Sequence, residues 1–346
     1  MTDKKYRVIQ WATGNVGSRA LRMVIEHPEL ELVGLWVSSP EKVGKDAGEL
    51  AGIAPVGIKA TNSAAEMIAL DADCVLYMRH GTDWDEICAL LASGKNIVTT
   101  RGDFHYPPMI DPDKRARVEA ACREGNTSIY STGSSPGFVS EALTIPLLSL
   151  ARRHDLLTID EYGDCSSRNS PHMLFEQMGF GKPIAPFDNS RAEHLKSEFG
   201  STLSQIAEAI GLPLDNLESE GELSAARNRV EIAAGTVEAG TVGAMRTTIT
   251  GFHKGRPVLR MRVNWYITTD IEDQDWHLRD SGWRITTEGD TPLLVDIYFP
   301  VAPEDYATYT PGLTAHRPVN AIAAVCEAAP GIRTTVDLPH IIPRFG

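Results

Sequence analysis

A strand, a glycine turn and a helix follow one another within the first 26 residues, and this order constrains the chain more than any other feature. Tyr6 to Trp11 reads YRVIQW, a run with the length and apolar content of a buried strand. Ala12-Thr13-Gly14-Asn15-Val16-Gly17 comes next. From Ser18 to Glu26 the apolar residues recur at helical spacing, with Ala20, Leu21, Val24 and Ile25 on one face, and Pro28 marks the stop. Such a unit suits a dinucleotide. Gly14 lets the backbone approach a pyrophosphate, Gly17 lets the helix pack on the strand, and the helix N-terminus offers N–H groups and a positive dipole end. Thr13, Gly14, Asn15, Val16 and Gly17 are then the phosphate contacts. The pattern is A-x-G-x-x-G, because Ala12 stands where the first glycine of the usual fingerprint would be. The same order also serves as a plain strand-to-helix turn without a ligand.

Length and charge narrow the rest. A chain of 346 residues exceeds one typical core, so two domains are expected. The net charge of −13 argues against nucleic acid as a main partner, since phosphate neutralisation needs a basic face. No apolar run reaches the ~18 residues that a membrane span requires, and MTDKKYRV lacks the apolar core of a signal peptide. No membrane association and a cytoplasmic location are the expectation. The five cysteines (Cys74, Cys88, Cys122, Cys165, Cys326) are scattered and form no C-x-x-C, so reduced thiols and no metal site are expected.

Further along, LELVGLWV (30–37), DCVLYM (73–78), NIVTT (96–100) and Ser128 to Ser131 read as strands. Residues 62–70, 83–92 and 111–124 read as helices between them. This alternation implies right-handed crossovers and a doubly wound, Rossmann-like parallel sheet over residues 1–140. Beyond residue 155 the texture changes. A strand at 156–161 and a helix at 191–210 precede long period-2 stretches at 245–250 and 259–267 and an apolar run at 293–299. They predict an α+β substrate domain over residues 141–311, with a mainly antiparallel sheet covered on one face. A last helix at 317–328 belongs to a segment, 312–346, that returns to the first domain. The fold class is α/β with a second α+β domain.

Parallel sheets bind ligands at the carboxyl ends of their strands. At the end of the second strand an acid would select NAD, but the chain has Ser38, Ser39, Pro40, Glu41 and Lys42. Two hydroxyls and a lysine point to the 2′-phosphate of NADP, while Glu41 keeps NAD open. Three further strand ends are polar and carry glycine: Arg79-His80-Gly81, Thr99-Thr100-Arg101-Gly102-Asp103 and Thr132-Gly133-Ser134-Ser135-Pro136-Gly137. His80, Gly81, Thr100, Gly133, Ser135 and Pro136 are candidate cofactor contacts. His80 can transfer a proton, touch a ribose or merely stabilise its loop. The third end spells G-x-S-x-G, the signature of a hydrolase nucleophile elbow. A serine hydrolase is rejected, because the residue that must donate an oxyanion N–H is Pro136, which has none. Asp103, just past a strand tip, is the candidate catalytic carboxylate: such a group can pair with an ammonium and take a proton from an amine. By spacing alone it reads as an ordinary exposed loop aspartate. Phe138, Glu161, Tyr162 and His172 are candidate substrate contacts, with Glu161 and Tyr162 expected at a cleft.

Taken together, QWATGNVG, NIVTTRGDFHYP, STGSSPGF, MGFGKP and TAHRPVNAIAAVCEAAPG resemble the dihydrodipicolinate-reductase-like superfamily. Within it they resemble the branch of 2,4-diaminopentanoate dehydrogenases and native amine dehydrogenases, over nearly the whole chain. The resemblance implies a Rossmann domain, a second domain on a curved antiparallel sheet that also dimerises, a homodimer, and a nicotinamide cofactor. It further implies a carboxylate in the GDFHYP loop that holds the substrate nitrogen. The amine dehydrogenases carry Glu there, whereas this chain offers Asp103, one methylene shorter. The histidine-rich substrate motif of the dihydrodipicolinate reductases proper is not found. The expected activity is NAD(P)-dependent oxidation of a small-molecule amine to an imine, then a carbonyl plus ammonia, or the reverse. Rival readings are a reductase of a carbonyl or cyclic imine on the same fold, and an NAD(P)-binding sensor without turnover.

Overall fold

A computed structural model describes residues 5–302 and 305–345. The chain divides into two compact units, residues 1–142 with 309–346, and residues 143–308. In the first unit β1 (Tyr6–Trp11) and α1 (Asn15–Glu26) are followed by β2 (Leu30–Trp36), α2 (Ala47–Leu50), β3 (Ala60–Thr61) and α3 (Ala64–Ala69). Then come β4 (Cys74–Tyr77), α4 (Trp84–Ala92), β5 (Asn96–Thr99), α5 (Pro112–Gly125) and β6 (Ser128–Ser131). Local chemistry sets these boundaries. Ser63 caps α3 by accepting from the Glu66 amide, Asp83 caps α4 through Glu86, and Asp111 caps α5 with Pro112 behind it. Asn126 ends α5 in the left-handed conformation, φ 54°.

The second unit holds α6 (Thr144–Leu148), β7 (His154–Asp164), α7 (Asn189–Ala209), β8 (Asn216–Ala225), β9 (Val230–Ile232) and β10 (Gly235–Val237). It continues with β11 (Val242–His253), β12 (Arg256–Tyr266), β13 (Gly282–Gly289) and β14 (Leu293–Tyr298). The sheet runs β14-β13-β7-β12-β11-β8. Its pairs are antiparallel except β7 with β12, which are parallel. The expectation of one covered face fails at the centre. Met245, Arg246, Thr247 and Thr248 of β11 are all buried, so both faces are covered. The physical reason is the segment after β12. Ile271, Trp276 and Leu278 pack on Tyr162, Ala244 and Tyr266. Arg246 stacks over the Trp276 ring at 4.4 Å and donates to Asn264 Oδ1 and the Trp276 carbonyl. A buried arginine with its donors satisfied is tolerated where a bare one is not.

The chain then forms α8 (Tyr306–Cys326) and β15 (Gly331–Arg333). The helix begins eleven residues before the expected 317, with Pro311 and Pro318 inside it. Each proline removes one helix N–H, but Ala315, Val319, Ile322 and Val325 bury a continuous face, and that packing dominates. β15 is three residues long, too short for a periodicity to reveal.

β15 completes a seven-stranded sheet in the order β15-β6-β5-β4-β1-β2-β3, parallel throughout. Ile9, Val75, Ile97 and Ile129 pack with α4 and α5 on one face, while Val8, Leu76, Val98 and Tyr130 pack with α1 and α8 on the other. Sequence order reverses between β1 and β4, which is the switch point where such sheets open a crevice. One cross-strand row runs beneath it. Trp36, Trp11, Tyr77, Thr99 and Ser131 are register neighbours on β2, β1, β4, β5 and β6. Trp11 stacks on Trp36 at 4.9 Å and on Tyr77 at 6.0 Å. Trp11 is fully buried, so Trp11→Ala should cost ~3–5 kcal/mol, the range for emptying an aromatic core position. Urea unfolding of the variant checks this; a loss under about 1 kcal/mol would show that the row is not a support.

Candidate active site

The turn after β1 has the form a dinucleotide needs. Ala12 adopts φ 75°, a conformation more typical of glycine, and is held there by two bonds. Its amide donates to the Trp36 carbonyl at 2.8 Å, and its carbonyl accepts from Gln10 Nε2 at 2.9 Å. A Cβ at Gly17 would overlap that same carbonyl, so only glycine brings α1 this close. At Gly14 a Cβ would meet no heavy atom within 4 Å. Gly14 caps α1 with no side chain of its own to bond the helix's first amides, at Asn15, Val16 and Gly17. Lys42 reaches back from the loop after β2 and donates to the Thr13 carbonyl (3.0 Å) and hydroxyl (3.1 Å), which sets a cation beside the turn. Ser38 and Ser39 lie at the tip of β2, exposed and half-buried.

The ends of β4, β5 and β6 are tied to one another. Ser131 Oγ donates to the Arg101 carbonyl at 2.7 Å, and Thr99 Oγ1 to the Tyr77 carbonyl at 2.7 Å. Asp103 sits on a single 3₁₀ turn, Gly102–Phe104. Its Oδ2 accepts from Thr82 Oγ1 (2.6 Å) and from Arg101 Nη2 (3.3 Å), and its side chain is 35% exposed. It is a carboxylate held in place by neighbours and open to solvent. His105 is buried nearby, with Nε2 3.4 Å from Ser131 Oγ. Burial pushes its pKa down to about 4 against the attraction of Asp103, so the ring is neutral near pH 7. His80 is exposed, Gly81 has φ 78°, and Thr100 is half-buried.

After β6 the loop holds Gly133, Ser134, Ser135 and a cis Pro136, then Gly137 at φ 125° and Phe138, which is exposed. Ser134 Oγ bonds Thr314 Oγ1 of α8 at 3.1 Å, and Arg317 stacks 5.6 Å over the Phe138 ring. Sequence reasoning passed over Arg317, Asn320 and Glu141, because a helix residue gives no local sign of the loop it will meet. Arg79, named in the sequence only as part of its strand end, lies 5.5 Å over the Trp36 ring and pairs with Glu86 at 2.9 Å. Ser135 Oγ, Arg317 Nε and Asn320 Oδ1 are buried with no hydrogen-bond partner among the described residues. Orphan polar atoms at the loop after β6 and on α8, together with a glycine turn after β1 that has room at Gly14, fit a polar cofactor better than a closed structural turn.

Two buried groups here oppose each other in pH. Glu141 is 1% exposed, and burial lifts its pKa to about 7 against Ser140, the Gly137 amide and Arg317. Its stabilisation is full below about 4.5 and lost as pH rises to about 7. The depressed His105 contributes fully above 6.5 and loses that contribution as pH falls toward about 4. Each shift corresponds to on the order of 3 kcal/mol. Relative to the parent, Glu141→Gln should therefore gain stability as pH rises from 4.5 to 7, and His105→Gln as pH falls from 6.5 to 4. Urea unfolding across this window measures both; slopes of the opposite sign would refute the assignment.

The remaining candidates belong to the second unit. Glu161 and Tyr162 are neighbours within β7, so they point to opposite faces of its sheet and cannot both line one cleft. Glu161 Oε2 accepts from Trp283 Nε1 at 3.0 Å, whereas Tyr162 lies under Arg279 with Ile271 and Trp276. His172 is exposed at the start of a helical turn, 3.4 Å from Gln177.

Known proteins share these features. Residues 8–102 match the N-terminal family of dihydrodipicolinate reductase, and residues 188–344 match the 2,4-diaminopentanoate dehydrogenase C-terminal domain. An amine dehydrogenase of Streptomyces virginiae is 28% identical over 98% of this chain and 97% of its own. A 2,4-diaminopentanoate dehydrogenase of Acetoanaerobium sticklandii is 21% identical over 99% and 95%. The structure of an amine dehydrogenase from Mycobacterium smegmatis superposes with a TM-score of 0.76 at 20% identity, covering 98% of this chain and 97% of that one, which shows a common fold. With both halves matched and the turn, strand ends and returning helix in place, the findings support the dihydrodipicolinate-reductase-like superfamily and, within it, the branch of 2,4-diaminopentanoate and amine dehydrogenases.

Proposed function

We propose that this protein is an NAD(P)-dependent oxidoreductase that acts on the carbon–nitrogen bond of a small amine, in the oxidative direction or in reverse. The observation that carries the reading is Asp103, a partly exposed carboxylate just past the end of β5, two strands along the sheet from the dinucleotide-type turn after β1. The relatives named for amine oxidation support it. The glycine turn and the orphan polar atoms of Ser135, Arg317 and Asn320 would hold the nicotinamide dinucleotide. When bound, it supplies a hydride acceptor for the carbon that bears the amine.

The chain's own residues do the rest. Asp103 pairs with the substrate's ammonium and takes its proton, which leaves the neutral amine that can lose hydride. Arg101 and Thr82 fix the carboxylate through Oδ2, so it needs little reorganisation on binding. His105, neutral and buried, adds no competing positive charge near the substrate nitrogen. A homodimer and a cytoplasmic location belong to the same reading, as does a partner set without nucleic acid, which the charge of −13 supports.

Asp103→Asn keeps the shape and removes both charge and base. Amine turnover, kcat/KM, should fall ~10²–10⁴-fold with cofactor binding intact. Near-parental turnover in the variant would remove Asp103 from the mechanism. The finer assignment is NADP over NAD, from Ser38, Ser39 and Lys42 at the end of β2. Lys42→Ala should weaken NADP by ~1.5–3 kcal/mol and spare NAD, since only the former places a phosphate there. Titration of both cofactors decides it; an unchanged ratio would leave no NADP preference to explain.

A further inference from the structure

We propose that Glu141 is a positioning residue: its carboxyl group fixes the Gly137 amide and so sets where Ser135, Pro136 and Phe138 stand at the end of β6. The loop makes an unusual demand. Gly137 turns with φ 125° and ψ −77°, outside any helix or strand, so its N–H has no ladder or helix partner. It is also buried, and a buried N–H left unpaired is costly. A Cβ on Gly137 would come 2.5 Å from Thr132 Oγ1, so the turn is closed on that side as well.

Glu141 answers the demand from within the same segment. Gly137 donates to Glu141 Oε2 at 2.7 Å and to Ser140 Oγ at 3.0 Å, and Ser140 Oγ donates to the same carboxyl oxygen. One serine hydroxyl would satisfy the amide in the ordinary way. Burying a carboxyl group in addition is expensive unless it does something more. Arg317 supplies the second half of the arrangement. It lies over the ring of Phe138, the very next residue, and its charge lowers the cost of Glu141. Consecutive residues of the loop are thus held from two elements, the backbone at 137 by Glu141 and the side chain at 138 by Arg317. The inference rests on reading this loop as part of the cofactor and substrate site, and the test separates the two.

The variants are Glu141→Leu, which has no acceptor, and Glu141→Gln, which keeps the length and one acceptor oxygen. Hydrogen exchange of the 132–140 segment is read in the protein without added cofactor, beside kcat/KM for an accepted amine well below each variant's own melting temperature. The Leu variant should exchange the Gly137 amide about tenfold faster or more, and lose kcat/KM by a similar factor. The Gln variant should recover both to within about threefold. If the Leu variant does not fold, Glu141→Asp, one methylene too short to reach the amide, takes its place with the same expected direction. Parental exchange and parental kcat/KM in a folded Leu or Asp variant would overturn the proposal. So would a Gln variant as impaired as Leu, since charge and not the acceptor would then matter. A parent without amine turnover would defeat the proposed function alone, because the exchange arm decides the role of Glu141 by itself.

Discussion

Everything in the candidate site depends on the register of five parallel strands. Trp36, Trp11, Tyr77, Thr99 and Ser131 stand side by side, so β2, β1, β4, β5 and β6 end at one level. A slip of one residue in any of them would turn its last side chain to the other face and displace its loop. The stacked rings of Trp36, Trp11 and Tyr77 oppose such a slip on one side. On the other, Thr99 bonds the backbone of β4 and Ser131 the backbone just past the end of β5 through their hydroxyls. Apolar stacking under β2, β1 and β4 and hydrogen bonding under β5 and β6 give the same result by different means.

Burial sorts the ionisable groups of this region into roles. His105 is enclosed and held neutral, Glu141 is enclosed with its pKa lifted, and Asp103 keeps a third of its surface in water. A carboxylate proposed to meet an ammonium must be reachable from solvent, as Asp103 is. A carboxyl proposed to hold a backbone amide has no such requirement. The same chemical group, a carboxyl on an aspartate and on a glutamate, is thus proposed for two ends, and the two differ in how much solvent reaches them.

Two departures from the usual patterns have structural answers of different completeness. Ala12 replaces a glycine yet takes a positive φ, and the Trp36 and Gln10 bonds hold it there. Asp103 stands where the resemblance implies a Glu, and its shorter reach is combined with ties to Thr82 and Arg101. Those ties fix where the carboxylate stands.

The sequence by itself determined the first domain. Short apolar strands, capped helices and a glycine turn are local signals, each read within about 20 residues, and they gave the parallel, doubly wound order and the positions of Gly14, Gly17 and Asp103. The second domain was legible as a class, with its long alternating strands, but not in its layering. Arg246 and Asn264 read as a solvent face until Trp276 and Ile271 are seen to cover them, a contact set by residues up to 30 positions apart. The orientation of Glu161 and Tyr162 required the strand's full extent to Asp164. Arg317, Asn320 and Glu141 became visible only when α8 met the loop after β6, since helix periodicity tells which residues share a face and nothing of what that face will touch.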